Sequence, residues 1–483
     1  MNRMLSSHPQ APLVDAPALP PGFVFGAATS AAQIEGAAAL DGKGPSIWDT
    51  FCATPGKIKD GSNIDVACDH YHRWPEDVAL MRWLGLDAYR FSMSWPRVQP
   101  QGQGAWNEAG FAFYERLVDG LLEAGIAPHL TLHHWDLPQG LQTAHGGWHG
   151  RDTALRFADY AAEVARRLGD RLASIATLNE PWCITTLGHE TGQFAPGLRN
   201  RAVAMQVSHH LLLGHGLAMQ AMRPNTRTPL GIVLNHTPAY PAEPTQADHA
   251  AARIVDGLDV RWYMDPIFRG AYPADVLEHL GADAPKVQAG DLDHIRQPLD
   301  WLGVNFYTRN WVSTREPKLP APAALGVNDM GWEIVPQALT QHLVRLTRDY
   351  LPPPIWITEN GMACADRFVA GGVDDEDRLA YLRAHLAAVA RAAALGVDVR
   401  GYFYWSLLDN FEWDSGYAKR FGLVHVDYDT LKRSPKRSAQ GYREDIAAHK
   451  AAAAAAEREA EAVAAAGAGP AVAPPATPIV AGG

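Results

Sequence analysis

The chain has 483 residues, of which 47% are hydrophobic and 20% charged, and its formal net charge at pH 7 is -11. This composition is typical of a folded globular protein with a large apolar core and excludes disorder over most of the chain. The negative charge disfavours nucleic acid or an anionic membrane as the main partner, because both would be repelled. A neutral small molecule is the expected ligand.

The two ends of the chain differ in composition from the rest. Residues 1–20 are rich in Pro and Ala without periodicity, which predicts a flexible extension, and residues 451–483 form a low-complexity Ala/Pro/Gly tail. We find no apolar stretch long enough for a signal peptide or a membrane span, which favours a cytoplasmic location. The cysteines contain no C-x-x-C pair and are expected to be free thiols, so neither a metal site nor a cofactor is predicted.

Residues 21–450 are expected to form one domain, because no Pro/Gly-rich linker divides them. Short apolar, β-branched runs alternate in this region with segments of helical spacing, such as 152–168 and 375–395. That alternation predicts parallel strands joined by crossover helices, and eight strands would close a (β/α)8 (TIM) barrel of the α/β class. The predicted strands are Phe23–Ser30, Leu86–Trp95, Ala127–Trp135, Ser174–Pro181, Leu230–His236, Trp301–Thr308, Ile355–Asn360 and Gly401–Leu408.

Most of these runs begin apolar and end in polar, aromatic or charged residues. Barrel enzymes place their sites at the C-terminal ends of the strands, so these end residues are expected to converge around one mouth. They are Gln33 and Glu35, Arg90, His134 and Trp135, Asn179 and Glu180, Asn305 and Tyr307, Glu359, and Trp405.

Two of these residues, Glu180 and Glu359, fit the chemistry of glycosidic bond cleavage. That reaction uses one protonated carboxyl group, which helps the leaving oxygen depart, and one ionised group, which attacks or supports the anomeric carbon. A single glutamate at a strand end is more often a helix cap or a surface ion pair, but two such residues in one predicted barrel favour catalysis. Gly361, next to this second strand end, is expected to let the backbone turn sharply.

The two carboxyl groups need different pKa values, with Glu359 ionised and Glu180 protonated near neutral pH. Arg90 is the expected cause, because a guanidinium near Glu359 favours its charged form. Tyr307 is a candidate hydroxyl donor to the same carboxylate. Arg90 could equally form a buried ion pair that only closes the barrel interior, and both interpretations can hold together.

Seven ordered segments together carry a family resemblance: residues 23–30 leading to Gln33 and Glu35, Tyr89–Ser92, His133–Pro138, Thr177–Pro181, Asn305–Tyr307, Ile357–Gly361 and Asp409–Trp413. On these segments the chain resembles, from about Phe23 to Tyr442, the β-glucosidase family, glycoside hydrolase family 1. The resemblance implies a (β/α)8 barrel that hydrolyses terminal β-glycosides with retention, with Glu180 as acid/base, Glu359 as nucleophile, and Arg90, Tyr307 and Asn305 in support.

The resemblance also implies a set of residues that hold the terminal sugar. Hydrogen-bonding side chains and aromatic rings are what neutral sugars require, although each tryptophan taken alone is about as often a core residue. Only one of the adjacent histidines is expected to face the site, since neighbouring strand residues point opposite ways, and the resemblance implies that it is His134. No third ligand supports a zinc site made of His133 and His134. The implied sugar-binding residues are Gln33, His134, Trp135, Asn179, Glu412 and Trp413, with Trp405 beneath the sugar ring.

Two positions bear on the substrate. Phospho-β-glucosidases of the same family use a serine where this chain has Glu412, and a carboxylate would repel a phosphate, so an unphosphorylated sugar is predicted. Many relatives have histidine where this chain has Phe194, which leaves open whether cellobiose or aryl and alkyl glucosides are preferred. Trp182 and Cys183 are expected to line this leaving-group side by position alone.

Two other functions stay open at this point. The first is a sugar-binding barrel that has lost catalysis, although such proteins usually lose one of the two glutamates, and this chain keeps both. The second is transglycosylation, which shares the glycosyl-enzyme and differs only in the acceptor. The sequence does not decide between glucose, galactose and fucose, nor does it give the natural substrate or the oligomeric state.

Overall fold

The computed structural model describes residues 17–315 and 324–467. The predicted extension at residues 1–20 falls largely outside these ranges, as do residues 468–483 of the predicted tail at 451–483. The last described helix, Arg437–Gly467, runs past residue 450, so the first part of the Ala-rich segment is helical. Within the described ranges, no helix combines the length and apolar character of a membrane-spanning segment.

Eight parallel strands form a closed barrel in the order of the chain, which confirms the predicted fold class. The first strand pairs with both the second and the last, with Gly26 opposite Ala88 and Ala28 opposite Trp405. The strands are β1 (Val24–Ala28), β2 (Ala88–Ser92), β3 (Ala127–His133), β4 (Ser174–Asn179), β5 (Leu230–Asn235), β6 (Trp301–Asn305), β7 (Ile355–Asn360) and β8 (Val399–Trp405).

Helices surround the barrel and follow its strands, as expected for alternating βα units. The predicted helical segments 152–168 and 375–395 correspond to Arg151–Leu168 and Glu376–Ala394. The other α-helices are Ala31–Ile34, Ile47–Cys52, His70–Leu84, Trp95–Val98, Glu108–Glu123, Gln139–His145, Arg201–Met222, Gln246–Asp256, Trp262–Arg269, Ala274–Leu280, Asp291–Ile295, Pro336–Tyr350 and Arg437–Gly467.

Shorter elements lie in the connections between the barrel strands. Two segments have π-helical geometry, Cys183–Glu190 after β4 and Gly257–Arg261 in the connection after β5. Three two-stranded sheets pair Ala239–Pro241 with Asn310–Val312, Arg367–Val369 with Gly372–Asp374, and Val424–Val426 with Arg433–Pro435. The 3-10 helices are Gly147–His149, Gly169–Arg171, Gly281–Asp283 and Trp413–Ser415.

The barrel interior is packed with side chains and is not a pore. The ring of His129 lies 5.1 Å from that of Phe403 and 5.3 Å from that of Trp356, centroid to centroid. These residues border a cavity of about 10 Å³ below Arg90. Burial lowers the pKa of His129 to about 3, so this imidazole is neutral. The interior below Arg90 is therefore filled by side chains and has no space for a substrate.

Gly361, directly after β7, has a different reason to be glycine from the one that the sequence indicated. Its backbone is not among the glycines with positive φ. Instead, a Cβ atom at this position would overlap the backbone carbonyl oxygen of Trp405. The close approach of two barrel strand ends, and not a left-handed turn, requires glycine here.

We expect Gly361→Ala to destabilise the fold by about 2 kcal/mol, because a backbone carbonyl cannot move aside as a flexible side chain can. Gly125→Ala is the matched control, since Gly125 has φ +74° and open space around it. The control should lose only about 1 kcal/mol from backbone strain. Thermal unfolding followed by circular dichroism compares the two variants, and equal losses would contradict the assignment.

Candidate active site

Apart from Glu35, the predicted site residues lie at or just beyond the C-terminal ends of the barrel strands, around one mouth. Glu35 is buried, and its carboxylate accepts hydrogen bonds from Arg97 Nε at 2.8 Å and from the Tyr114 hydroxyl. Arg90 lies within β2, and Glu359 is the penultimate residue of β7. Asn179, Asn305 and Trp405 end their strands. The others follow a strand within a few residues: Gln33, His134, Trp135, Glu180, Tyr307, Glu412 and Trp413.

Glu359 is buried and bonded to the two residues expected to support it. Arg90 Nη1 donates to one carboxylate oxygen at 2.7 Å, and the Tyr307 hydroxyl donates to the other at 2.7 Å. The ion pair is shielded, because both side chains are at most 4% exposed. A carboxylate with a guanidinium on one oxygen and a phenol on the other is held in a single orientation.

Glu180 receives weaker donors. Its Oε1 accepts from the amide of Asn305 at 2.7 Å, and its Oε2 lies 3.1 Å from the thiol sulfur of Cys183. The backbone of Glu180 is left-handed, with φ 48°, which turns its side chain out of the strand direction. The residue is 5% exposed at the mouth.

Two asparagines connect these carboxyl groups. Asn179 Oδ1 accepts from Arg90 Nη2 at 2.7 Å and from Asn305 Nδ2 at 3.1 Å. The same Asn305 amide donates to Glu180, and its own oxygen accepts from Thr358 at 2.6 Å. A continuous buried network thus runs from Glu359 through Arg90, Asn179 and Asn305 to Glu180, so the positions of the two glutamates are set together.

The surroundings of the two glutamates stabilise a negative charge to different degrees. Burial raises the pKa of Glu180, and the charge of Glu359 raises it further. Burial also raises the pKa of Glu359, whereas the charge of Arg90 and the hydroxyl of Tyr307 lower it. With the stronger donors on Glu359, the proton of the pair resides on Glu180.

Aromatic rings form one wall of the mouth. The ring of His134 is stacked 5.6 Å from Trp405 and 6.0 Å from Trp413, and Trp135 lies 4.4 Å from Trp413. Burial lowers the pKa of His134 well below its ordinary value. Its Nε2 accepts from the Asn179 amide at 3.1 Å, so we assign the hydrogen to Nδ1, which has no protein partner. A neutral donor therefore remains next to the stacked rings.

His133, the neighbour of His134, points away from the mouth, as the strand alternation predicts. Its ring lies 5.4 Å from that of Trp148 and 6.2 Å from that of Phe157 in the helical layer. The Trp148 indole donates to its Nε2 at 3.2 Å. His133 therefore supports packing and has no contact with the site.

Gln33 is fully buried, and its amide is bonded to the loop that carries Glu412. Its Nε2 donates to Asn410 Oδ1 at 3.0 Å and to the Phe411 carbonyl at 2.7 Å. The sequence predicts no function for Asn410, and no local pattern links it to Gln33. The contact joins residues 377 positions apart, so only the closed barrel reveals it.

Glu412 is partly exposed and lies among other carboxyl groups. Burial raises its pKa to about 8, and the charges of Glu359, Asp414 and Glu180 add to the increase. This raised pKa favours the protonated form of the carboxyl group, so Glu412 repels a phosphate less than a fully ionised carboxylate would. An anion still finds acidic neighbours here and gains no attraction from them.

Asp366, Asp409 and His425 lie close enough together to hold a metal ion. Lys436 Nζ is 2.8 Å from an oxygen of each aspartate, and Arg420 is 2.8 Å from Asp409. These two side chains already supply positive charge to the cluster, so its donor set does not fit a metal. The network instead anchors Asp409, which begins the loop that carries Glu412.

The sequence assigns Phe194, Trp182 and Cys183 to the leaving-group side by position, and in the structure they lie beside Glu180 or the aromatic wall. Phe194 packs 5.6 Å from Trp135 and 6.2 Å from Trp413, so it extends the aromatic wall outward. Cys183 contacts Glu180 directly, and Trp182 is partly exposed beside it. The thiol contact with Glu180 has no signal in the sequence beyond its spacing of three residues.

Comparison with known proteins places the chain in a family. The family model for glycosyl hydrolase family 1 matches residues 16–451. A β-glucosidase from Agrobacterium sp. is 47% identical over 88% of this chain and 94% of that protein. A bifunctional β-D-glucosidase/β-D-fucosidase from Bifidobacterium breve is 46% identical over 89% of this chain and 99% of its own length.

A solved structure agrees with these sequence matches. The family 1 β-glucosidase from Thermotoga maritima superposes with a TM-score of 0.86 at 42% identity, covering 90% of this chain and 99% of that one. It has also been solved in complex with isofagomine lactam. The chain belongs to glycosyl hydrolase family 1, as its motifs predicted, and is a glycoside hydrolase.

We expect Cys183→Val to shift the basic limb of kcat/KM to higher pH by roughly 0.5 unit, equivalent to about 0.7 kcal/mol. The thiol donates to the charged form of Glu180, so its loss should raise the pKa of that carboxyl further. Hydrolysis of 4-nitrophenyl β-glucoside across the pH range measures the shift.

Cys183→Ser is the matched control because its hydroxyl keeps a donor beside Glu180. Its basic limb should lie at or below that of the unmodified protein. If the valine and serine variants gave the same pH profile, the thiol would have no influence on the carboxyl group.

Proposed function

We propose that the protein is a retaining β-glucosidase that removes terminal non-reducing β-D-glucosyl residues from cello-oligosaccharides or from aryl and alkyl glucosides. The main support is the pair of buried glutamates on β4 and β7, of which Glu359 is stabilised as an anion and Glu180 as an acid. The relatives named above include β-glucosidases, and this chain matches them over nearly their whole length. The proposed partner is a small β-glycoside.

In the first step Glu359 attacks the anomeric carbon while Glu180 donates its proton to the leaving oxygen. The glycosidic C–O bond breaks, a bond to a Glu359 oxygen forms, and the alcohol leaves. Loss of the negative charge on Glu359 lowers the pKa of Glu180, because their repulsion ends. Glu180 can then act as a base on water.

In the second step the water attacks the anomeric carbon from the face that the leaving group vacated, which gives retention. Arg90 and Tyr307 stabilise Glu359 again as it leaves as a carboxylate. Asn305 holds Glu180 through both steps, and Thr358 fixes the orientation of Asn305.

We assign the terminal sugar to the sector formed by β8, β1 and β3. Trp405 would lie beneath the ring, and His134, Trp135, Asn179, Gln33, Glu412 and Trp413 would surround the hydroxyls. Gln33 Nε2 is engaged with Asn410 and Phe411, and its oxygen accepts from the Ser30 hydroxyl at 2.6 Å, so its contribution would come through the second acceptor position of that oxygen or through placement of the Glu412 loop.

Two alternatives predict different products. A sugar-binding barrel without catalysis would release no nitrophenol from 4-nitrophenyl β-glucoside. A transglycosylase would transfer the glucosyl group to an added sugar in preference to water. Product analysis with and without added cellobiose separates hydrolysis from both.

We expect the two glutamates to respond oppositely to azide. Glu359→Gly should lose nearly all turnover and regain it with azide as α-glucosyl azide, because azide then attacks in place of the missing nucleophile. Glu180→Ala should lose roughly 10²–10⁴-fold on substrates with poor leaving groups and yield β-glucosyl azide. NMR of the products distinguishes the two anomers.

Glu190→Gln is the control for these variants, since Glu190 lies on the same loop as Glu180 and pairs with Arg201. It should keep its activity and show no response to azide. Exchanged anomers in the two active-site variants would reverse the proposed roles.

We expect 4-nitrophenyl 6-phosphoglucoside to be hydrolysed at least about 100-fold less efficiently than 4-nitrophenyl glucoside. The charge of Glu359 and that of Asp414, which is paired with Lys59, both act on Glu412, and juxtaposed like charges are costly. The ratio of kcat/KM values measures the preference. Glu412→Ser should narrow the ratio, and faster hydrolysis of the phosphorylated substrate would contradict the assignment.

A further inference from the structure

Three neighbouring loops of the mouth meet at one carboxyl group that the mechanism does not use. Asp259 lies in the π-helical segment Gly257–Arg261, in the connection after β5. Its Oδ1 accepts from the indole N–H of Trp182, in the loop after β4, at 2.9 Å. Its Oδ2 accepts from the amide of Asn310, in the loop after β6, at 3.2 Å.

The position of this group follows from the arrangement of the barrel. The residues proposed to hold the terminal sugar come mainly from β8, β1 and β3, whereas β4, β5 and β6 are consecutive strands on another part of the rim. Glu180, which would face the leaving oxygen, directly follows β4, and Trp182 comes two residues later. The sector around Asp259 is therefore the one that a leaving group would enter.

The chemistry of Asp259 suits a ligand with hydroxyl groups. All three members of the cluster are partly exposed. Each carboxylate oxygen can accept two hydrogen bonds, and each has one protein donor here, so two acceptor positions remain. The bond to the indole nitrogen also fixes the plane of the Trp182 ring, which would offer an apolar face beside those acceptors.

Among the described residues, no cationic side chain pairs with Asp259. Arg309, which precedes Asn310 in the chain, donates to both oxygens of Glu333, at 2.9 and 2.8 Å, so its charge is already paired. Its guanidinium also lies 4.3 Å from the centroid of the Trp311 ring. Burial raises the pKa of Asp259 to about 7, as expected for a carboxyl group without a compensating cation. A leaving group that carries its own carboxylate would be repelled.

We infer that Asp259 determines specificity for the leaving group, favouring neutral hydroxylated groups such as a second sugar over anionic ones. This inference rests on the proposed β-glucosidase function. Asp259 would act by accepting hydroxyl hydrogen bonds and by holding Trp182 as a platform, without contact with the reacting atoms.

Three aryl glucosides of similar size test the assignment: phenyl, 4-(hydroxymethyl)phenyl and 4-carboxyphenyl β-glucoside. Asp259→Asn keeps the shape and removes the charge, so kcat/KM for the carboxylated substrate relative to phenyl glucoside should rise about tenfold. Asp259→Leu removes the acceptors, so the hydroxymethyl to phenyl ratio should fall roughly five- to tenfold. The ratios compare substrates within one preparation, which cancels differences in folded fraction.

Glu190→Gln is the matched control, because it removes one negative charge from the loop after β4 without touching the Asp259 cluster. Its substrate ratios should equal those of the unmodified protein. Unchanged ratios in both Asp259 variants, with phenyl glucoside still hydrolysed, would overturn the inference alone. Failure of the unmodified protein to hydrolyse phenyl glucoside would instead overturn the proposed function.

Discussion

The buried ion pair between Arg90 and Glu359 is the interaction on which the site depends. One guanidinium donates to Glu359 and to Asn179, and Asn179 in turn orders Asn305 and His134. A buried charge pair costs desolvation free energy, which excellent geometry and further hydrogen bonds must offset. The surrounding amides and the Tyr307 hydroxyl provide those bonds. The same contacts that make the charge of Glu359 tolerable inside the barrel therefore also fix the positions of the groups around it.

Three residues of this mouth have a strained backbone. Trp135, Glu180 and Trp413 all have positive φ, at 80°, 48° and 48°, although none is glycine. Such conformations cost of order 1–3 kcal/mol each and persist only where packing and hydrogen bonds enforce them. Here the Trp135 indole donates to the Asn179 carbonyl, and Trp413 packs on Trp48 at 4.5 Å. The stability of the barrel thus maintains side-chain directions that the local sequence alone would not adopt.

The sequence predicted the family, the barrel and all eight strands, because alternating strand and helix patterns are local and the family motifs are long. Some predicted strands are longer than the observed ones. The predicted third and fourth strands include Trp135 and Glu180, whose left-handed backbones do not continue the strand pairing. Contacts between distant segments could not be predicted, as with Gln33 and Asn410, or Thr358 and Asn305. The roles of the individual site residues stay predictions, and Asp259 had no motif to mark it. Side-chain partners depend on closure of the whole barrel, which no local pattern encodes.

The closing contact of the barrel joins the first strand to the last, with β1 and β8 in register from Val24–Gly401 to Ala28–Trp405. The ribosome synthesises the chain from its N-terminus, so β1 emerges with one edge unpaired. That edge has no partner until β8, near the end of the barrel sequence, has been made. Long-range pairing of this kind is slow and leaves apolar strand edges open to aggregation. Truncated or stalled chains would therefore lack hydrolytic activity and would bind chaperones instead. Hydrolytic activity would then depend on completed synthesis as well as on correct folding.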